Sequence, residues 1–565
     1  MRVNIVSTHR NQTGLAADVD ILQGIWAAAD ETVKFRRIYN AQPECPEAEY
    51  NVFIEVLNPS LFTYAGKNIF IPNPEWTYKT WIPYLQNIDE IWCKTDEAVE
   101  IFSSLHPNVK YIGWTSIAKK PAEKKNFHKA LVLSGKNIYR HPQVVVDAYV
   151  LAAANNEIKL PELHIVCDGT RMKVEIPESV KDKIVLHSET LKQNVYDELV
   201  DDCGLSICIS GSEGFGHAVN EAASSGSILL LNTILPFKEF NYPALWVDTD
   251  KTVPHPECLG VICRTPPEGI VQALEVYSNM SFKERKELSN SIANLFVERH
   301  DRWVKTMQEF LKPYSTKDEF SIDKTAIPEA DLPGVTIVTP TRNRPQFMEI
   351  CAGCVDSQCY PKDKLEWIVI DDGKDTCEEF VKHVPFSRYI LETEGKTIAW
   401  KRNLGARLAK FPIIVHMDDD DIYPPNSILF RVSMMLRAKK EVAFCTTLPS
   451  YDIANYTSFI NVPPMRMPQC MRVSEATMCF TKSFWEEKGF PDEIQIAEGE
   501  QFIKGREAQC IELSPQEVIV SLVHPRTTSS RRVPPGMEPN GCHYGFTEDL
   551  FTMLSKIGEY LKQRA

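Results

Sequence analysis

At 565 residues the chain has length for about two to four domains, each with a core of its own. A net charge of −14 argues against a nucleic-acid partner, whose phosphates need a basic face. No apolar run approaches the ~18 residues of a transmembrane segment, and several of the cysteines sit inside apolar runs, as buried, reduced thiols of a cytoplasmic protein do.

The start, MRVNIVSTHR, reads as a strand and not as a signal peptide. Further strands follow in YNVFIEV, KNIFIP, DEIWCKT and VKYIGW. After the charged connector KKPAEKKNFHK the pattern restarts with ALVLSG, a helix from about Pro142, LHIVCDG, KIVLH, LSICIS and GSILLLN. Short apolar strands alternating with helices predict an α/β fold with largely parallel sheets. Residues 1–315 divide into Rossmann-like halves at about 1–120 and 121–315, with a cleft between them that suits a ligand. From Pro313 to Gly334 the chain is polar and proline-punctuated, so 316–333 reads as a linker and 334–565 as a further, doubly wound α/β domain opening on VTIVTPT. Cys351-x-x-Cys354, with Cys359 nearby, lacks a second pair at zinc-ligand spacing and reads as a helix face.

The first motif is LSICISGSEGFGHAVNEAASSG. A buried strand ends at Ser210, glycines 211, 214 and 216 form a turn, and a helix begins near Gly216. Such a turn lets backbone approach a ligand, and the new helix aims free N–H groups at it, an arrangement suited to a diphosphate. Glu213 and Glu221 add carboxylates able to accept from paired sugar hydroxyls. The segment resembles the donor-binding signature of retaining GT-B glycosyltransferases of family 4, matched by Glu213-Gly214-Phe215-Gly216, Glu221-Ala222 and Gly226. The resemblance implies that Glu221 holds the nucleotide ribose, that Glu213 holds the transferred sugar, and that Lys136 and Arg140 reach the donor phosphates. It runs from about Ala130 to Asn232. His217 follows the turn and serves as a capping or packing residue at least as readily as a catalytic one.

The second domain repeats the theme with different chemistry. Thr339-Pro340-Thr341 ends one strand and Pro345 fits the first turn of a helix. LEWIVI delivers Asp371 and Asp372, and GKTIAWKRNLGARLAKFPIIVHMDDDD supplies a helix with Lys401, Arg402 and Asn403, then a strand ending in Asp418, Asp419, Asp420 and Asp421. Carboxylates this close raise one another's pKa, and a hard divalent cation relieves the repulsion; a solvated acidic turn before Tyr423-Pro424-Pro425 is the plainer alternative. Val335 to His524 is similar to the inverting GT-A glycosyltransferases of family 2. Asp371-Asp372-Gly373 resembles the nucleoside-reading segment, Thr339 lies at the same donor edge, and Arg402-Asn403 matches the A-x-R-N helix. Asp418-x-Asp420-Asp421 matches the metal-binding element, with Asp419 beside the donor. The resemblance implies Mn²⁺ or Mg²⁺ bridging the donor diphosphate, and a general base six residues before an Arg. In IAEGEQFIKGR that is Glu500, before Arg506, with Glu498 as rival. His524, at the end of VSLVH, is a metal or phosphate ligand on the same resemblance, and Arg531 and Arg532 either cap the donor site or are solvated tail charges. Phe484 and Trp485 suit sugar stacking and core packing equally.

The expected activity is sugar transfer from nucleotide-sugar donors to a hydroxyl acceptor (glycan, lipid-linked or protein-linked), by a metal-dependent inverting C-terminal module and a retaining N-terminal one. In the alternative only the C-terminal domain is catalytic and the N-terminal one binds glycan or nucleotide. An open cleft at Glu213 supports the first, a filled one the second. A nuclease reading of the aspartates conflicts with the acidic balance and the order of motifs.

Overall fold

The computed structural model describes residues 1–8, 14–42, 44–119, 125–155, 157–189, 191–314, 327–527 and 545–563. The chain forms two compact units, one of Met1–Asn40, Ala48–Leu57 and Gly66–Phe320, the other of Ala41–Glu47, Asn58–Ala65 and Ser321–Ala565. Most of the expected linker, and Arg531 with Arg532, lie outside the described residues.

Unit 1 holds two six-stranded sheets. The first takes its strands in the order 2-1-3-4-5-6 along the chain. Arg2–Ser7 lies between Lys34–Tyr39 and Ala48–Ile54, parallel to both. The edge strand Lys34–Tyr39 escapes a reading of apolar runs because only Ile38 of KFRRIY is buried. The second sheet begins with Asn126–Gly135, four residues before ALVLSG, and its strands order 6-5-4-1-2-3. Every pair is parallel, and from the other edge this is the doubly wound order 3-2-1-4-5-6. A 30-residue helix, Phe282–Leu311, opens on a capping box between Ser281 and Glu284. It runs back to the first half, where Trp303 donates from its indole to the Ile112 carbonyl at 3.1 Å.

Unit 2 centres on a seven-stranded sheet. Ser387–Leu391, Leu365–Asp371, Val335–Thr341 and Ile413–His416 lie side by side and parallel. Cys479–Thr481 then pairs antiparallel to Ile413–His416, and Val442–Phe444 and Cys510–Glu512 complete the sheet. Alternate residues feed two cores: Ile337, Trp367 and Val415 enter one layer, Val338, Ile368 and Ile414 the other. Burial on both faces explains why these strands are continuous apolar runs. Strand order reverses beside Val335–Thr341, so the carboxyl ends of that strand and of Ile413–His416 flank a switch-point crevice. Cys351 and Cys354 pack in the core on the helix Pro345–Asp356, and Cys359 is exposed.

Candidate functional site

The crevice in unit 2 is a cavity of about 270 Å³. One wall comes from Thr341, Arg342 and Arg344, where Val335–Thr341 turns into the helix Pro345–Asp356. Asn343 makes that turn at φ 53°. Its side-chain oxygen accepts from Lys374 N at 2.7 Å and Asp375 N at 3.1 Å, which fastens the turn to the loop after Asp371. Gly373 is needed there, because a Cβ would stand 2.5 Å from Asn343 N.

The aspartates form the floor. Asp418 N donates to the buried Tyr423 hydroxyl at 2.7 Å, which fixes where the run leaves the strand. Arg402, fully buried on the helix Ile398–Leu408, donates to Asp418 Oδ2 at 3.0 Å and through Nε to Glu498 Oε1 at 2.7 Å. Burial alone would lower the Arg402 pKa; the charges of Asp418 and Glu498 outweigh it and hold the guanidinium ionised. Arg344 Nη1 lies 3.0 Å from Asp419 Oδ1 and 2.7 Å from Asp420 Oδ2. Burial pushes the Asp419 carboxyl up to about 6, against the pull of Arg344 and with a push from Asp420. Asp421 instead accepts from Leu522 N at 2.9 Å, tying the run to the neighbouring sheet.

The remaining expected residues divide sharply. Glu498 is buried and lines the cavity, while Glu500, two positions on in the helix Glu498–Ile503, lies outside the lining. Ala497 sets that phase from the left-handed region at φ 61°, a conformation unfavourable by about 1–2 kcal/mol for a residue with a Cβ. Asp372 is buried against Lys401 Nζ at 2.8 Å and Lys396 N at 2.6 Å. Asp371 accepts from the Tyr389 hydroxyl at 2.6 Å and Gly373 N at 2.8 Å. Thr339 is buried in the sheet, donating to the Met417 carbonyl, and Thr341 lines the cavity in its place. Asn403 is saturated by Phe490, Asp492 and the Trp485 indole, so it builds the wall behind the site. Phe484 is core. Sequence reasoning passed over Arg344 and Glu475, which both line the cavity; neither lies in a run or spacing that marks it.

Among the described residues no three His, Cys, Asp or Glu side chains are grouped so as to hold an ion by themselves. Asp418 Oδ1 is nonetheless buried with no hydrogen bond, facing only the Arg402 guanidinium at 3.0 Å, and Asp420 Oδ2 lies 3.0 Å from Nε2 of a buried His524. A hard oxygen held by one guanidinium alone, beside a carboxylate steadied by an imidazole, fits a cation that takes its other ligands from phosphate and water.

In unit 1 the glycine turn is built as expected, with Gly216 left-handed at φ 102° before the helix His217–Ser224. Its surroundings are occupied. Glu213 receives Arg140 Nε and Nη2, each at 3.3 Å, and Glu221 accepts from the Tyr196 hydroxyl at 2.7 Å. Gly214 packs so closely on Glu75 and Asn73 that a Cβ would meet them at 2.6 and 2.7 Å. The cavities that adjoin Glu213 measure about 10 and 20 Å³. Lys136 is exposed, past the end of its strand. His217 bridges the halves: Nδ1 lies 2.8 Å from Ser116 Oγ and Nε2 2.9 Å from Asp18 Oδ1, and Asp18 Oδ2 pairs with buried Lys94 at 2.6 Å. Burial raises the Glu55 carboxyl to about 7, even though Lys94 opposes the rise, and lifts Glu75 well above the usual carboxylate range with help from Glu55 and Glu213.

No helix among the described residues is long and apolar enough to cross a membrane. AglE of Haloferax volcanii, a glycosyltransferase, is 29% identical over 94 residues, 16% of this chain and 31% of AglE, so the match spans about a third of that relative. S. aureus TarS 1–349 in complex with UDP-GlcNAc is 15% identical over 34% of this chain and 59% of its own, with a TM-score of 0.29. The E. coli structure bound with UDP-2-fluoro glucose is 9% identical over 55% and 99%, with a TM-score of 0.41. Residues 336–482, which supply the aspartate run and most of the lining of the unit 2 crevice, match the family model Glycosyl transferase family 2.

Proposed function

We propose that unit 2 transfers a sugar from a nucleotide-sugar donor to a hydroxyl acceptor, with inversion at the anomeric carbon. The observation that carries this reading is one crevice at the switch point where the aspartate run, the buried Arg402, the half-buried Arg344 and the Glu498 carboxylate converge. Asp418 and Asp420 would hold Mn²⁺ or Mg²⁺, which when bound offsets charge on the departing diphosphate. Arg344, Lys396 and Lys401 line the same crevice and supply positive charge for phosphate oxygens. Glu498, rather than Glu500, faces the site and accepts the acceptor's hydroxyl proton as that oxygen attacks, while Arg402 fixes the direction of its carboxylate. His524 orients Asp420, and Asp372 with Lys401 shapes the nucleoside end.

A specific observation favours a non-catalytic unit 1: Asn73, Glu75 and Arg140 fill the space around Glu213 and Gly214. Turnover across a nucleotide-sugar panel with and without Mn²⁺ tests both points. Loss in Asp420→Ala and in Glu498→Gln by about 10²-fold or more, with Glu500→Gln and Glu213→Ala near wild type, is expected. Full activity in Glu498→Gln, or metal-independent turnover lost in Glu213→Ala, overturns the corresponding assignment.

A further inference from the structure

Glu475 lies 23 residues before Glu498 in sequence and lines the same crevice. It opens the short turn Glu475–Thr477, which leads into the sheet strand Cys479–Thr481. That turn is held from three sides. The Glu475 carbonyl lies 3.0 Å from His416 Nδ1, Tyr423 donates to the Ala476 carbonyl at 3.1 Å, and Ser474 N donates to the Cys445 carbonyl at 3.0 Å. The side chain then reaches the backbone beside Glu498, where Gly499 N donates to Glu475 Oε1 at 3.0 Å. Gly499 leaves no room for anything else, since a Cβ there would meet Glu475 Oε1, Cγ and Cδ at 2.9, 3.0 and 3.2 Å. Two carboxyls are thus locked to adjacent residues of one helix start.

We propose that Glu475 is a positioning residue for proton transfer in this crevice: Glu475 and Glu498 act as one carboxyl pair that holds a single proton at neutral pH. The inference rests on the glycosyl-transfer reading above for its catalytic meaning, though not for its test. The groups facing Glu475 are Glu498 and Arg402 from their two helices and His416 from the strand, the last kept neutral by burial. Burial of Glu475, and next the charge of Glu498, raise its carboxyl to about 7, against Arg402 and the Gly499 N–H. Arg402 bonds Glu498 directly, so the negative charge rests on Glu498 and the proton on Glu475. In the reaction the acceptor O–H breaks, its proton goes to the Glu498 carboxylate, and the oxygen's electron pair forms the new glycosidic bond as the anomeric C–O bond to the nucleoside diphosphate breaks and the diphosphate leaves with that electron pair. A neutral Glu475 beside Glu498 lets that proton arrive without a second charge opposing the Arg402 pairing. Ionised Glu475 would make Glu498 more basic and compete for the proton.

The test has a readout that needs no substrate. The protonated-carboxyl C=O stretch of the full chain is followed by infrared difference spectroscopy from about pH 5 to 9 for wild type, Glu475→Gln and Glu498→Gln. The amide introduced by Glu475→Gln keeps an oxygen for Gly499 N and preserves the fold. A band with a midpoint near about 7 is expected in wild type, absent in Glu475→Gln, and shifted down by roughly half a unit or more in Glu498→Gln. Superimposable wild-type and Glu475→Gln spectra, or a midpoint indifferent to Glu498→Gln, overturn the pair. With any donor that turns over, the acid limb of kcat/KM moves in Glu475→Gln while donor KM holds. If the infrared pair is found and Glu498→Gln stays active, Glu498 is not the base and the pair stands; if the pair is found and no donor turns over, the transfer reading fails and the pair stands.

Discussion

Asp18→Asn tests whether unit 1 is bolted shut. Asp18 Oδ1 takes His217 Nε2 at 2.9 Å and the Trp114 indole, and Oδ2 takes Lys94 Nζ at 2.6 Å, with both charged side chains almost wholly buried. Burial alone would raise the Asp18 carboxyl; Lys94 and then His217 outweigh it and hold it near about 2 rather than 3.8. That depression is worth about 2 kcal/mol of stability at neutral pH. Asparagine keeps the shape and strands the Lys94 ammonium, for which about 3 kcal/mol is a typical penalty. Because the native value is the lower one, the contribution is present above about pH 4 and is lost as pH falls toward 2. Hydrogen exchange on peptides spanning Gly14–Ala29 and His217–Ser224 reads the effect locally, where a two-unit unfolding curve would blur it. Protection is expected to fall by about 30-fold or more at pH 7, with the two proteins converging near pH 2. A change under about threefold at pH 7 would refute the bolt and reopen a mobile cleft at Glu213.

Glu55→Gln should flatten the pH dependence of unit 1. The native Glu55 carboxyl sits near about 7 instead of 4.5, so its contribution is complete below about pH 4.5 and lost as pH rises through 7. The wild-type melting temperature should therefore fall between about pH 4.5 and 7 more than the variant's, and equal slopes would contradict the burial argument. Gly373→Ala should cost unit 2 about 2 kcal/mol, roughly 5 °C in melting temperature, because the backbone of Asn343 must yield. An unchanged melting temperature would show that the two loops are not fastened there.

The strands of both units were legible because burial on two faces leaves apolar runs, as in LSICIS and VTIVTPT. The glycine turn and the aspartate run were legible because each ends such a strand, and strand ends converge at a switch point. What the chain order hid was rotation. Glu498 and Glu500 stand about 200° apart around one helix, and only the left-handed Ala497 decides which faces the crevice. Thr339 and Thr341 are on the same face of their strand, but only the last clears the sheet. Glu475 and Arg344 carry no local signal, and their meaning comes from partners far along the chain. The filling of the Glu213 turn was hidden for the same reason, since Asn73 and Glu75 lie about 140 residues upstream.

Charge balance in the unit 2 crevice argues for a donor that arrives with a cation. Asp418, Asp419, Asp420 and Glu498 share the guanidinium groups of Arg402 and Arg344, and Asp372 is matched by Lys401. A diphosphate entering this acidic set would bring further charge, while Lys396 Nζ already lies 3.0 Å from Glu394 and the outer Arg342 is 4.0 Å from Asp372. Turning Arg344 toward phosphate removes the guanidinium that Asp419 and Asp420 share, leaving adjacent carboxylates that repel. A divalent ion held by Asp418 and Asp420 would offset that repulsion and leave the guanidinium free for the donor. Arg344 is on this view a placeholder for the ion, so Arg344→Met should bind Mn²⁺ more tightly than wild type by about tenfold in the absence of donor, and weaker binding would sink the argument.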